Sequence, residues 1–225
     1  MKKKIFSIII VVSLGLFTVN AQNTGEIQYG IGGGINFSNI TINEDDVKTE
    51  SLSSFNAHLS AEYYFDDRLG VKSKIIYDNK GWAQDVVDPN SILETLKSNY
   101  SLKYITIPLM VNYHFGSIQS RAKSFATRPW YLSFGPYIGF LTKADESLSG
   151  NDFKESLKSI DYGAAFNFGL RFEIADFTKL YIEYDGQYGL ADIAADSKTT
   201  AQNSSTTIKN GLRSSVNLGL LFAFY

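Results

Sequence analysis

The chain reads as an all-β fold, an eight-stranded antiparallel up-and-down transmembrane β-barrel. Three observations point there. Bulky apolar residues alternate with small or polar ones, at period two, through eight segments. Most of these segments exceed the roughly 5–6 residues usual in soluble sheets and suit the roughly 9–11 tilted residues that cross a bilayer. The connections are short at one end and long at the other, as in outer-membrane barrels.

A leader precedes the strands. Lys2, Lys3 and Lys4 form a positive start, Ile5 to Val19 an apolar run, and Val19-Asn20-Ala21 a small-residue cleavage site. The pattern predicts a secretory signal over 1–21 and a barrel domain over 22–225. Without those three lysines, the 21 basic residues become 18 against 23 acidic ones, a net charge of −5. That balance argues against nucleic acid as a partner. There is no Cys, so disulfides, thiolate metal sites and a lipidated Cys are excluded. Beyond the leader no run of about 18 apolar residues predicts a spanning helix.

The strands are expected at 27–38, 54–65, 69–80, 99–115, 129–143, 160–173, 179–190 and 211–224. In the first, Gly30, Gly32 and Gly34 oppose Tyr29, Ile31, Ile35 and Phe37. The second places His58, Ser60 and Glu62 on one face and Tyr63 and Phe65 on the other. The third carries Lys72 and Lys74 on its polar face. The fourth holds Pro108 at mid-strand, where the missing N–H predicts a bulge. In the fifth, Ser133, Gly135 and Gly139 oppose Leu132, Phe134, Ile138 and Phe140. In the sixth, "DYGAAFNFGLRFE", Tyr162, Phe166, Phe168 and Phe172 oppose Gly163, Ala165, Asn167, Gly169, Arg171 and Glu173. The seventh has Glu183 and Asp185 on the polar face. The eighth sets Ser215, Asn217 and Gly219 against Val216, Leu218, Leu220, Phe222 and Phe224.

Residues 66–68 and 175–179 read as short turns. Segments 39–53, 81–98, 144–159 and 191–210 read as long polar loops, with one or two helical turns expected over Ser91–Lys97. The 116–128 turn is longer than its end of the barrel requires. With the N-terminus periplasmic, the long loops face outside the cell.

Which face points inward is a question of volume. A soluble lipocalin-like barrel would turn the bulky face in; a membrane barrel turns it out. An eight-stranded barrel encloses room for side chains or one small ligand. Four aromatic rings from the sixth strand alone would overfill it. The small polar face therefore lines the lumen and the bulky face meets lipid. Glu62, Lys72, Lys74, Arg171, Glu173, Glu183 and Asp185 then fall inside. Both signs are present, and the expectation is a lumen charge network, since an unpaired buried ion costs several kcal/mol. Aromatics gather near both strand ends: Tyr63, Phe65, Tyr113, Phe115, Trp130, Phe172 and Phe224 by the short turns, Phe37, Tyr77, Phe140, Tyr162 and Tyr188 by the long loops. Such belts mark the two bilayer interfaces. Trp82 fits either the belt or loop packing.

Three stretches resemble a known family. "LKYITIPLMVNYHFG" (102–116) is similar to the Ile-Pro strand of PorT-like outer-membrane barrels of Bacteroidetes, "PWYLSFGPYIGFL" (129–141) to the strand after it, and "SVNLGLLFAFY" (215–225) to the closing strand. The Ala-Gln at the leader's end is also typical. The resemblance covers nearly the whole mature chain. It implies an eight-stranded barrel and little about activity, since only some relatives serve a gliding-associated secretion system. It carries over no catalytic residue.

Catalysis would need a base beside a nucleophile or an activated water. Of the two histidines, His58 is expected on the lumen face toward the outer half, with Ser60 or an acid as neighbour, and His114 near the periplasmic end. Asp45 with Asp46, or Asp145 with Glu146, are the loose candidates for a cation. "GIGGG" (30–34) has no helix after it to hold a phosphate. No cofactor is expected. The sequence thus points to a non-enzymatic barrel in the outer membrane of a Gram-negative bacterium. Its partners are expected to be the lipid and a protein met through the long loops or the 116–128 turn. The alternatives are a rim-located lipid hydrolase or acyltransferase, and a narrow pore. Mass spectrometry of protein extracted from its membrane should find the mature N-terminus at Gln22; a chain still carrying Met1 would remove the leader.

Overall fold

A computed structural model describes residues 27–42, 49–65, 68–87, 95–116, 118–119, 126–127, 129–148, 150–194 and 208–224. The leader over 1–21 lies outside the described residues, as do Asp45 and Asp46. The strands are β1 (Ile27–Ile42), β2 (Glu50–Tyr64), β3 (Leu69–Val87), β4 (Thr95–Phe115), β5 (Ile118–Gln119), β6 (Ala126–Thr127), β7 (Trp130–Glu146), β8 (Ile160–Ala175), β9 (Thr178–Gly189) and β10 (Ile208–Phe224). One short 3₁₀ turn covers Lys154–Ser156. Eight strands close a ring in the order β1-β10-β9-β8-β7-β4-β3-β2, each antiparallel to its neighbours, and β2 returns to β1. Closure leaves no sheet edge, which hydrocarbon requires because it offers unpaired backbone groups no partner.

The bulky face is outside. Phe55, Leu59, Ile75, Leu109, Phe134, Tyr162, Phe168 and Leu218 are all exposed on the wall, while Asn36, Glu62, Asn112, Asn167 and Glu183 are buried within. The lumen is not lined by small residues alone. Tyr104, Tyr131, Tyr137 and Tyr181 are also buried there. Glycines make room for them. Tyr131 sits directly opposite Gly169 in the β7–β8 register, and a Cβ on Gly169 would lie 2.5 Å from Cζ of Tyr131. The Tyr181 ring lies over the Gly32–Gly219 pair; a Cβ on Gly219 would come within 2.5 Å of its Cζ. The small residues of the inward face are therefore notches for large ones on nearby strands.

The structure corrects four expectations. First, much of the expected loop length is strand. β3 runs to Val87 and β4 starts at Thr95, and β1, β2, β7 and β10 extend likewise into segments read as loops. Outside the bilayer a strand keeps its hydrogen bonds but needs no apolar face, so the alternation signal fades before the ladder does. Second, Thr95, Leu96 and Lys97 pair with Val87, Val86 and Asp85 as strand, not helix; the rest of the expected helical segment lies outside the described residues. Third, Pro108 makes no bulge. The β3–β4 register is the same on both sides of it, with pairing lapsing between Ser73 and Ile76, and the Ser73 hydroxyl donates to the Pro108 carbonyl at 3.0 Å. The bulge against β7 lies at Lys103/Tyr104. Fourth, Glu173, expected in the lumen, is exposed. The long 116–128 turn holds a small hairpin, Ile118–Gln119 against Ala126–Thr127.

The lumen is closed by an apolar cluster at the end opposite the short 66–68 and 175–179 turns. Ile40, Trp82, Leu102, Leu141, Leu157 and Ile193 are among its buried members. Trp82 stacks on Tyr100 at 4.7 Å between ring centroids, so it belongs to this cap and not to the lipid belt. Asp192 ties the cap to the wall by accepting the backbone N–H groups of Ala194 and Ile208, both at 3.1 Å. Partial burial pushes its carboxyl up, but those N–H groups and Lys158 outweigh this and hold it below the usual carboxylate range.

Phe168 projects into lipid near the middle of β8. Phe168→Arg should therefore lower the stability of the barrel in vesicles by about 2–4 kcal/mol, read from urea titration. Unchanged stability would reverse the assignment of faces.

Candidate functional site

The period-two alternation of β2, β3, β8, β9 and β10 turns every second residue inward, and at ten of these positions the residue is ionised. Among the described residues the buried charges are Glu62, Asp78, Asp161, Glu183 and Asp185 against Lys72, Lys74, Lys80, Arg171 and Arg213. Five negative charges meet five positive ones. Eight of them form one chain of alternating sign. Arg171 pairs with Glu62 at 2.6 Å, and Glu62 with Lys72 at 3.4 Å. Lys72 pairs with Glu183, and Glu183 with Lys74. Lys74 reaches Asp185 at 2.8 Å. Asp185 pairs with Arg213, which reaches Asp78 at 2.9 Å. Above this chain Lys80 pairs separately with Asp161 at 3.0 Å.

The pairs cross the lumen. β3 and β9 lie on opposite walls of the ring, as do β2 and β8, so Lys72–Glu183, Lys74–Glu183 and Arg171–Glu62 are braces between facing walls. Neutral groups complete the coordination. Tyr131 donates to Glu183 at 2.8 Å, Asn167 to Asp185 at 2.6 Å, and Asn36 to Asp78 at 2.9 Å. Tyr137 and Asn210 donate to Asp161 at 3.0 and 2.9 Å. The Tyr131 ring also lies beneath two cations, 4.7 Å from Lys72 Nζ and 4.3 Å from Arg171 Cζ, a further stabilisation of desolvated positive charge.

Six residues of the expected charge network meet in this chain: Glu62, Lys72, Lys74, Arg171, Glu183 and Asp185. Glu173 does not. It is exposed at the short-turn rim, in register with Lys179. It shares the inward parity of Arg171, but β8 has passed the end of the packed lumen there. Four members were missed: Asp78, Lys80, Asp161 and Arg213. Their signal was present, since Asp78 and Lys80 continue the parity of Lys72 and Lys74, Asp161 that of Gly163, and Arg213 that of Ser215.

The histidines are absorbed into the same packing. His58 Nε2 is 2.6 Å from the Tyr181 hydroxyl and Nδ1 is 3.2 Å from Asn56 Oδ1; Ser60 is not among these partners. His114 Nε2 is 3.0 Å from the Tyr64 hydroxyl and 3.1 Å from Asn112 Nδ2. Among the described residues no three His, Cys, Asp or Glu side chains are grouped to hold a metal ion. Asp145, a candidate for a loose cation, is instead paired with Lys103 and Lys143.

The closed ring with its apolar outer wall agrees with a family profile, "Outer membrane protein beta-barrel domain", which matches residues 20–195. The chain belongs to that family. It is an outer-membrane protein, held in the bilayer by its strands. Among solved structures, a major outer membrane protein from Thermus thermophilus is 13% identical with a TM-score of 0.51, over 88% of this chain and 99% of that one, and shares the fold. OprG from Pseudomonas aeruginosa is 14% identical with a TM-score of 0.49, over 90% and 98% of the two chains. Neisserial surface protein A is 15% identical with a TM-score of 0.49, over 87% and 97%. No curated protein matches the sequence.

Glu183 is the acid both lysines share, so its loss leaves Lys72 with Glu62 alone, Lys74 with Asp185 alone, and the lumen with a surplus buried cation. Glu183→Ala should cost about 3–5 kcal/mol, while Glu173→Ala at the exposed rim should stay within about 0.5 kcal/mol. Urea unfolding in vesicles compares the two; equal midpoints would remove the distinction.

Proposed function

We propose that this outer-membrane barrel is non-enzymatic and acts as a structural or interaction protein, presenting its extracellular strand extensions to a partner. The supporting observation is the alternating chain of ion pairs across the lumen. A conducting path would have to separate those pairs in a region that excludes bulk water, at the cost of stranded charge. The narrow-pore reading is therefore disfavoured. Hydrolase or acyltransferase chemistry is disfavoured because both histidines are buried, with tyrosine and asparagine partners. What remains accessible is the wall, which meets lipid, and the strand ends beyond it, where binding surfaces usually lie.

The three stretches similar to PorT-like barrels support a place near that Bacteroidetes group, and a secretion-associated role rests on that resemblance alone. The signal over 1–21 fits export to this membrane. A protein partner would meet the extracellular ends or the 116–128 turn, whose Arg121, Lys123 and Arg128 lie outside the described residues.

In planar bilayers the purified barrel should be electrically silent; steady single-channel steps would replace this reading with a pore. With phospholipid and lipid A substrates, wild type and His58→Ala should both stay at background, and turnover lost on that substitution would establish an enzyme. Crosslinking from Lys97 and Lys209 in intact cells should capture a protein at the extracellular end.

A further inference from the structure

The barrel wall is interrupted on one side. The β2–β3 ladder holds at Ser51↔Trp82 and resumes at Asn56↔Asp78, so four residues of β2 oppose three of β3 without pairing. Gly81, at φ +150, lets the β3 backbone leave its partner. The carbonyls so freed are taken up by side chains: Asn79 O accepts from Ser54 Oγ at 2.6 Å and from Asn36 Nδ2 at 3.2 Å, and Gly81 O from Ser38 Oγ at 3.2 Å. The seam is thus satisfied, but the outer surface over it is hollow. A groove of about 470 Å³ runs there from β2 across β3 to β4.

The lining divides by chemistry. Its periplasmic side is aromatic, with Phe55 and Tyr77 exposed to lipid. Its extracellular side is polar, with Ser53, Asn79, Asn99, Ser101 and Lys103. Lys103 pairs with Asn79, two residues beyond the Tyr77↔Ile105 pair, or about 7 Å along the strand. The polar side therefore sits just above the aromatic belt, at headgroup level. Lys103 and Lys143 are directly opposed across β4 and β7. Both lean on one carboxylate, Asp145, at 3.2 and 2.6 Å. Two ammonium groups thus share the Asp145 carboxylate, with Asp152 bridged to Asp145 close by, beside a row of hydroxyls and amides.

We infer that this groove holds the phosphorylated sugar headgroup of an outer-leaflet glycolipid. Lys103 and Lys143 face its phosphate, Ser101 and Asn99 its sugar hydroxyls, and Phe55 with Tyr77 the first carbons of its acyl chains. Lysine ammonium groups at the membrane surface attract anionic headgroups. A free anion would use the lysines but leave the aromatic floor unexplained, so the lipid is the occupant that accounts for both halves.

The test is native mass spectrometry of the full-length mature barrel in detergent, with bisphosphorylated lipid A as the probe. Wild type should retain it. The double variant Lys103→Glu, Lys143→Glu should bind about tenfold more weakly, as expected for loss of a charge-assisted contact. Ser101→Trp, which fills the groove without changing charge, should weaken binding too. Lys209→Glu is the control: Lys209 is exposed on β10, on the opposite wall from β4, and its reversal should leave binding unchanged. Heat-modifiable gel mobility confirms that each variant folds. Equal retention of dephosphorylated lipid A or phosphatidylglycerol, displacement by inorganic phosphate, equal loss in Lys209→Glu, or full retention by the double variant would each overturn the assignment.

Discussion

Lys72 and Lys74 reach from β3 across the lumen to the same carboxylate, Glu183 on the facing strand, and the packing of the interior turns on that contact. An eight-stranded barrel is too narrow to hold bulk water among its side chains. Any charge inside must find its counter-charge inside. The chain from Arg171 to Asp78 meets this by alternating sign at every step, so each internal ion has a neighbour of opposite sign on both sides. Because Arg171–Glu62, Lys72–Glu183, Lys74–Glu183 and Lys74–Asp185 join opposite walls, they also oppose flattening of the ring. Replacing a whole buried ion-pair set with well-packed apolar residues is often neutral in energy; removing one member alone is not, because it leaves a surplus charge of the opposite sign in the lumen.

The wall obeys a complementary constraint. Hydrocarbon demands apolar side chains outside and a backbone with nothing left unpaired, which closure provides. Bulk placed outside leaves the inner face to small residues, and those become seats for large ones. Gly169 receives Tyr131, and Gly32 with Gly219 receives Tyr181. The same tyrosines then serve the charges, Tyr131 donating to Glu183 while its ring supports Lys72 and Arg171. Steric notches and ion pairing are thus one design: the glycines position the aromatic groups that make the buried charges tolerable.

Function follows from what these constraints leave accessible. The lumen is filled by its own pairs, and its outer mouth is covered by the cluster around Trp82, Leu157 and Ile193. The surfaces left to interact are the strand extensions and the outer wall. On that wall the interrupted β2–β3 seam coincides with the change from aromatic to polar side chains at the upper belt. Outside the hydrocarbon the demand for full backbone pairing relaxes, and the wall can open locally provided that side chains such as Ser54 and Ser38 take over the freed carbonyls.

The sequence by itself determined the fold class, the number of strands and which face meets lipid, because each follows from local alternation and side-chain volume. It also placed Glu62, Lys72, Lys74, Arg171, Glu183 and Asp185 inward, since parity along a strand is a local property. It misjudged Glu173, because parity does not say where along the strand the packed lumen ends. It set the strand ends too early, because alternation vanishes where the bilayer stops while hydrogen bonding continues. Only the tertiary structure decided the pairing. Lys74 and Asp185 are 111 positions apart in the chain, and which acid a lysine meets depends on strand order, shear and the tilt of facing walls, none of which is written in any one strand.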